Sequence, residues 1–444
     1  MKKTLQVLFL LVGASALSQE SISSFTLEQA VDYALAENAS IKNAAADQKD
    51  ALAQKWATIA AGLPQIQGSV NYQNQLKQPV AQIPAEFFGG EPGTFSEVVF
   101  GQPQSLNAAV TWNQLIFDGS YVVGVQATRT FLDYSQNAYD KTALEVRASV
   151  VSAYANALMA AQSAELLSKN VAQIERNLFE ATALLKNGLG EEETVDQLRL
   201  TFKTLESNER NAYRLAKISK QMLNVMMGRE INDPLYLLDT LERLVGIEMV
   251  EEIPTDFDLT KNVDYRMVQN LTEQRSLELK LAKSKALPTL SSSLILGANA
   301  FGDTFDFLDP DKKYFNTAIL GVNLQIPLFS SLLRSANTQR AKIADLKAQN
   351  TKTETERLLG LQFETLTSAL TLAREQVVTT KDNLDLAQRI ADKNEIKFKE
   401  GMASSFELRE AQLQLFAAQQ EYLSALVSVV TSHTDLANFL NESL

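Results

Sequence analysis

Two kinds of periodicity alternate along the chain, and each occurs twice. Before Phe117, residues Ala108, Val110, Trp112, Gln114 and Ile116 occupy one side of a period-two run, with Asn107, Ala109, Thr111 and Asn113 on the other. Farther on, Ala318, Leu320, Val322, Leu324 and Ile326 alternate with Thr317, Ile319, Gly321, Asn323 and Gln325, and the strand-like pattern runs on to Phe329. Alternation over about ten residues predicts strands, two in each half of the chain. Between Val125 and Asn187 there is neither Gly nor Pro, and Gly360 is the single such residue between Ser330 and Lys399. These stretches predict helices, and about 65 helical residues would extend about 100 Å. Leu144, Ala148, Val151, Ala155 and Leu158 recur at heptad-like spacing, with alanines that permit close coiled-coil approach. Gly188 and Gly401 end the two long helices, and "NGLGEEETVDQL" and "EGMASSFELREA" read as helix-hairpin turns.

The two halves follow one plan. Asn38, Leu63 and Pro64 match Asn262, Leu287 and Pro288 at an offset of 224 residues without a gap. Phe117 matches Phe329 at an offset of 212, and Gly188 matches Gly401 at 213. An internal twofold repeat is the expected organisation. It divides the chain into a signal peptide (1–18), a first repeat of helix, two strands and long helical hairpin (19–228), a connecting segment (229–261) and a second repeat (262–444). The change of offset leaves about twelve additional residues between Pro64 and Phe117. They fall in "KQPVAQIPAEFFGGEPGTFSEVVFGQPQ", which reads as a surface loop.

Strands that alternate apolar and polar faces match the wall of a transmembrane barrel, apolar to lipid and polar to lumen. Four strands cannot close a barrel, and an open edge cannot sit in hydrocarbon. Either the strands form a soluble sheet or several chains share one barrel. "MKKTLQVLFLLVGASALSQE" has Lys2 and Lys3, an apolar run and then small residues, the pattern of a secretory signal peptide cleaved near Ser18 or Gln19. Beyond it no stretch has the roughly 20 consecutive apolar residues of a membrane helix. Together with aromatic residues near the strand ends (Phe100, Phe301, Phe305, Phe307, Tyr314 and Phe315), export favours the membrane.

Charge and composition then exclude classes of chemistry. A formal charge of -12 without clustered Lys or Arg argues against nucleic acid. There is no cysteine, so disulfides, thiolate metal sites and lipidation of a cysteine are excluded. His433 is the single histidine, which leaves no histidine pair for zinc. The acidic loop with Asp303, Asp306, Asp309 and Asp311 lacks calcium-loop spacing, and no nucleophile constellation or phosphate loop is present. No cofactor, metal or enzymatic activity is expected.

With "FTLEQAVDYALAENASI", "LPQIQGSV" and "LPTLSSSL", "LIFDGS" and "IPLFSS", and both glycine turns in this order, the mature chain resembles the TolC-like outer membrane efflux protein family along its whole length. The resemblance implies a mixed, mainly α fold: a long coiled-coil α-helical barrel joined to a transmembrane β-barrel. Four strands per chain would make twelve in a homotrimer. The implied function is the outer membrane exit duct of a tripartite efflux or type I secretion system, passive and gated at its periplasmic helical end. Its implied partners are a periplasmic adaptor, an inner membrane pump and outer membrane lipid. The alternative from a different class is an exported periplasmic coiled-coil scaffold without channel activity.

The family also implies sites. Phe117, Asp118 and Gly119, and Pro327 and Phe329, mark the strand-to-helix junctions. Pro327 stands where a missing donor ends strand pairing, and Ile116, where the family often has proline, predicts a softer bend. Glu407 and Glu410 match acidic rings at the periplasmic gate and share a helix face, whereas the residues alone, without the family, read first as a solvated helix start. The family's charged latch would use Asp196, but its basic position is Ala403, leaving Arg199 or Arg409 as replacements. Gly188 with Leu189, and Gly401 with Met402, match adaptor-docking tips, against the reading of plain helix-capping glycines.

Overall fold

The computed structural model describes residues 24–249 and 252–442; the signal peptide expected over 1–18 lies outside the described residues. The described residues form two compact units, one of residues 43–142 and 258–362, the other of residues 24–42, 143–249, 252–257 and 363–442. Each unit draws on both halves of the sequence.

The first unit holds α2 (Ala39–Ala60), most of which falls here, β2 (Gln65–Asn74), β5 (Gln104–Phe117), α6 (Val263–Ser284), β7 (Thr289–Gly302), β8 (Phe315–Gln325) and the first parts of α3 (Gly119–Lys186) and α7 (Leu333–Lys399). The four strands form one antiparallel sheet in the order β2-β5-β7-β8. Residues directly opposite in an antiparallel ladder share a face, so the register sorts the side chains. One face carries Ile66, Trp112, Leu294 and Leu320 in a single row, then Gly68, Val110, Leu296 and Ala318. The other carries Gln65, Asn113, Ser293 and Gly321, and farther along Asn71, Asn107 and Asn299. Ile66, Val70, Leu296, Leu320, Val322 and Leu324 on the apolar face are all exposed. Phe301 and Phe315 belong to the polar face, opposite Ser105 and Asn299. They therefore lie across the sheet from the apolar band and do not act as the membrane cue the sequence gives them.

The long β2–β5 connection differs from the plain loop expected of it. Residues Val80–Pro84 (β3) and Phe95–Val99 (β4) pair as an antiparallel hairpin around a turn in which Gly89 and Gly93 have positive φ. The β-branched Val80, Ile83, Val98 and Val99, with Phe95, favour the pairing, and the glycines permit the reversal.

The two junctions are built differently. In the first, Asp118 alone separates β5 from α3, and its Oδ1 accepts from Ser120 N (2.6 Å) and Tyr121 N (3.0 Å), capping the helix. Ile116 falls in a register shift between Leu115 and Phe117. In the second, pairing stops at Gln325, opposite Thr289, short of the extension to Phe329 expected from alternation. Pro288 and Pro327 flank that last pair, so both strands lack a donor where the ladder would continue. Residues 326–332 then bridge to α7, with Ser331 and Leu332 at φ 46° and 66°.

The second unit contains β1 (Ser24–Phe25), α1 (Leu27–Glu37), α4 (Glu192–Met227), β6 (Tyr236–Leu237), α5 (Leu241–Glu248), α8 (Ser405–Leu440) and the later parts of α3 and α7. Of the heptad-spaced positions of α3, Val151, Ala155 and Leu158 are buried here, together with Val150, Tyr154 and Ala157 between them. β1 pairs in parallel with β6. Asp239 Oδ2 accepts from Leu27 N (2.8 Å) and lies 3.0 Å from the hydroxyl of the fully buried Tyr154. Burial, and then the Asp239 charge, push the Tyr154 phenol above its ordinary range.

Asp239→Ala would orphan the Leu27 N–H at the start of α1 and leave the buried Tyr154 hydroxyl with Phe25 O (2.9 Å) as its remaining partner. The expected cost is about 2–3 kcal/mol, with Asp239→Asn costing less, measured by denaturant unfolding of the detergent-solubilised protein. Because folding raises the phenol pKa, its contribution is complete below the unfolded value of about 10 and is lost as pH rises above it. Alkaline destabilisation that is diminished in Tyr154→Phe is the check.

Candidate functional site

The candidate residues lie at the two hairpin turns, both within the second unit. α3 ends at Lys186 and Gly188 takes φ 74°; its N–H donates to Leu185 O (3.0 Å) and the Leu189 N–H donates to Leu184 O (2.9 Å). α7 ends at Lys399 and Gly401 takes φ 71°, with bonds from Gly401 N to Phe398 O (3.0 Å) and from Met402 N to Lys397 O (2.7 Å). Both are Schellman caps, so the glycines are accounted for by the left-handed backbone they must adopt. In such a cap the following apolar residue ordinarily folds onto the helix. Here Leu189 and Met402 stay 77% and 71% exposed, which capping does not explain.

Beneath the turns the hairpins are packed together. Leu198 and Leu408 are buried with Ala181 and Val195, and Leu178, Leu185 and Phe398 pack against them. Ser405 Oγ donates to Gln197 Oε1 (2.8 Å), tying α8 to α4. An open groove of about 690 Å³ lies between the turns, lined by Leu184, Leu189, Glu193, Phe398, Ala403 and Phe406.

Glu407 and Glu410 are both exposed on the first turns of α8, yet they are not equivalent. Glu407 Oε2 accepts from Ser404 N (2.8 Å) and Ser404 Oγ (3.0 Å), while Glu407 N donates back to Ser404 Oγ (3.2 Å). This is a capping box, and the hydrogen bonds from Ser404 hold the carboxyl below its ordinary range. Glu410 meets Gln414 Nε2 at the limit of bonding, 3.5 Å. Ser404 was not among the residues singled out from sequence, although Ser404 followed three positions later by Glu407 is the written form of a capping box.

The latch partners are also placed. Asp196 pairs with Arg199 on its own helix at 3.0 Å, both exposed. Arg409 lies over the Phe406 ring, 5.0 Å from its centroid. Neither arginine joins Asp196 to α8. Glu191, Glu192 and Glu193 are exposed at the start of α4, where acidic charge suits the helix dipole. A different link crosses between the hairpins: Gln173 Nε2 donates to Glu395, which also pairs with Lys399 at 2.9 Å. Among the described residues no group of His, Asp or Glu is placed to hold a metal. In the acidic β7–β8 loop, Lys312 takes both oxygens of Asp306 (2.7 and 2.8 Å).

A four-stranded antiparallel sheet with an apolar outer face, carried on very long helical hairpins, defines a wall segment of an outer membrane channel. The chain belongs to the outer membrane efflux protein family, whose profile matches residues 30–229 and again 260–442, one match for each half of the repeat. Among solved structures it is similar to the CmeC outer membrane channel of Campylobacter jejuni, at TM-score 0.74 and 19% identity over 93% of this chain and 85% of that one. It is also similar to the open state of the Neisseria gonorrhoeae MtrE outer membrane channel, at TM-score 0.74 and 16% identity over 94% and 89%. VceC, an outer membrane protein of Vibrio cholerae, aligns at TM-score 0.71 and 14% identity over 94% and 96%. At these identities the likenesses establish the fold. No curated protein matches by sequence.

Gly188→Ala and Gly401→Ala are each expected to weaken their turn by about 1 kcal/mol, read as faster amide exchange at the turn. Leu189→Asp, at an exposed position, should leave exchange unchanged. Because folding lowers the Glu407 pKa, its cap contributes above the ordinary carboxylate range and is lost as pH falls below it. Exchange at the start of α8, corrected for intrinsic rate, should therefore rise on acidification in the native chain and not in Glu407→Gln.

Proposed function

We propose that three copies of this chain form a passive exit duct in the outer membrane, with the helical part in the periplasm, serving a tripartite efflux or type I secretion system. The observation that carries this is the sheet itself. Its two outer strands, β2 and β8, run in opposite directions, and each leaves one edge unpaired within the chain. A β8 edge can therefore meet the β2 edge of a neighbouring copy in an antiparallel ladder, and the operation repeats until the ring closes. Closure removes every edge and turns one face of the sheet outward along the whole circumference. Outward must be the apolar face, because a hydrocarbon solvent satisfies it and would leave the polar groups of the other face without partners. Four strands from each of three copies give the twelve-stranded wall expected of the family.

The exported-scaffold alternative is set aside by family membership, and by the cost of showing water a continuous apolar sheet face. In the duct, Glu407 and Glu410 would contribute six carboxylates around a periplasmic constriction and favour cations there. The exposed Leu189 and Met402 are the proposed contacts for a periplasmic adaptor, and an inner membrane pump supplies the energy. Adaptor binding opens the gate to the extent that it binds open hairpins more tightly than closed ones.

Two arginine substitutions test the wall. Leu320→Arg, on the apolar face, should cost about 2–4 kcal/mol near the bilayer midplane and abolish the trimer on native gels. Gln67→Arg, on the polar face, should assemble normally and shift single-channel selectivity toward anions. Equal tolerance of both would refute the assignment of faces, and with it the barrel. At the gate, Glu410→Gln should reduce cation selectivity and divalent block in planar bilayers; an unchanged current would remove Glu410 from the constriction.

A further inference from the structure

At the helical end of the sheet, the strap between β8 and α7 together with the first residue of α7 leaves five large apolar side chains in the open: Ile326, Leu328, Phe329, Leu332 and Leu333, with Leu328 and Phe329 86% and 84% exposed. The strap is tied in place. The Arg334 guanidinium donates to Pro327 O (2.6 Å), Leu328 O (3.2 Å) and Ser330 Oγ (3.2 Å). Ser331 and Leu332 are held with positive φ, a backbone region that side chains of this kind rarely enter. A fixed, strained segment displaying apolar groups has a surface to meet.

Depth identifies that surface. The open part of the apolar face runs from Leu290 to Ala298 along β7, with Ala300 buried beyond it, eight residues or about 27 Å along the strand. At the tilt of about 45° usual for barrel strands this is about 19 Å in height, most of a hydrocarbon band. The strap begins where that band ends.

Charge supplies a second observation. Lys280, Lys283 and Lys285 lead into β7, Arg340 and Lys342 follow the strap, and all five are exposed. Ion pairs of this unit use Lys141, Arg266, Arg275 and Lys312 instead, so the five cations have no carboxylate partner among the described residues. No Asp or Glu occurs in 279–288 or 326–344, although the chain carries a formal charge of -12. The opposite end of the sheet is acidic, with Asp303, Asp306, Asp309 and Asp311 between β7 and β8.

We propose that the helical end of the sheet is a docking surface for anionic phospholipid. The strap enters the boundary between acyl chains and headgroups, as interfacial aromatic and aliphatic anchors do. The five basic side chains meet headgroup phosphates, which a local excess of cations attracts. This deepens the barrel reading and rests on it.

Because the chain has no cysteine, single cysteines can carry a fluorophore in protein reconstituted into nanodiscs containing phosphatidylcholine and phosphatidylglycerol. Val322→Cys reports the wall, and Phe329→Cys, with Leu328→Cys as a second position, reports the strap. The expected result is loss of emission at Val322 with lipids spin-labelled at mid-chain, and at Phe329 and Leu328 with lipids spin-labelled near the headgroup. Quenching of the strap should be stronger when the spin label is on phosphatidylglycerol than on phosphatidylcholine. Changing Lys280, Lys283 and Lys285 together to Gln should remove that preference while leaving Val322 unchanged. Quenching at Val322 without quenching at either strap position overturns the proposal, because another copy of the chain then covers the strap. Strap quenching without preference for the anionic lipid overturns the charge assignment. Absence of quenching at Val322 overturns the barrel reading and the docking surface together.

Discussion

The rest of the structure depends on pairing the backbone N–H and C=O groups along the outer edges of β2 and β8. In water those groups are solvated at little cost, whereas in hydrocarbon each unpaired one costs several kcal/mol. A sheet of four strands has too little curvature to bring its own edges together, so the chain on its own is an incomplete object. The antiparallel order β2-β5-β7-β8 makes the two edges complementary to one another, which converts the liability into an instruction for assembly. The same order explains the residues chosen: most side chains alternate, with exceptions such as Gln114, Ser292, Ile295 and Ile319, because each strand must be apolar on one face and polar on the other once the ring is closed.

Leaving the barrel raises the converse problem, since the ladder must stop and a helix must start with its own first N–H groups unpaired. The two halves solve this with different chemistry. Asp118 ends one strand and caps the next helix through a single carboxylate, with Oδ2 also accepting from Thr289 Oγ1 (3.3 Å). In the other half, Pro288 and Pro327 end the ladder from both sides, and Arg334 gathers the carbonyls that the strap leaves free. Duplication of the plan has therefore preserved the positions of the elements and let their connections diverge. A repeat that must meet different neighbours at its two ends has reason to do so.

Much of this was legible in the residues. The strand faces, the two helices without glycine or proline, and the glycine turns follow from periods and from backbone permissions, which are local properties. The misreadings have physical sources as well. Period-two alternation continues through Leu328 and Phe329 because exposed apolar side chains are wanted there, although proline has already ended the pairing. The β3–β4 hairpin was hidden by the prolines and glycines around it, which mark turns whether or not short strands lie between them. Phe301 and Phe315 carried a membrane signal as aromatics near strand ends, but face is a property of register, and register needs both partners of a ladder. At the start of α8, Glu407 and Glu410 look alike from their spacing, which cannot reveal that one carboxylate is already engaged by Ser404.

That inequality constrains how the proposed gate can move. Glu407 closes the capping box, and Leu408, the next residue, is buried among Ala181, Val195 and Leu198 from the other hairpin. Unwinding the first turn of α8 would break the cap, and rotating α8 about its own axis would pull Leu408 out of that cluster. Either change exposes apolar surface or orphans backbone donors without compensation. The hydrogen bond from Ser405 to Gln197 adds a polar tie in the same place. A motion that keeps all three must carry the two hairpin ends together as one body, hinging elsewhere along helices long enough to bend gently. An adaptor gripping Leu189 or Met402 would then act on both hairpins at once, and the carboxylates would separate as a consequence of that shared displacement.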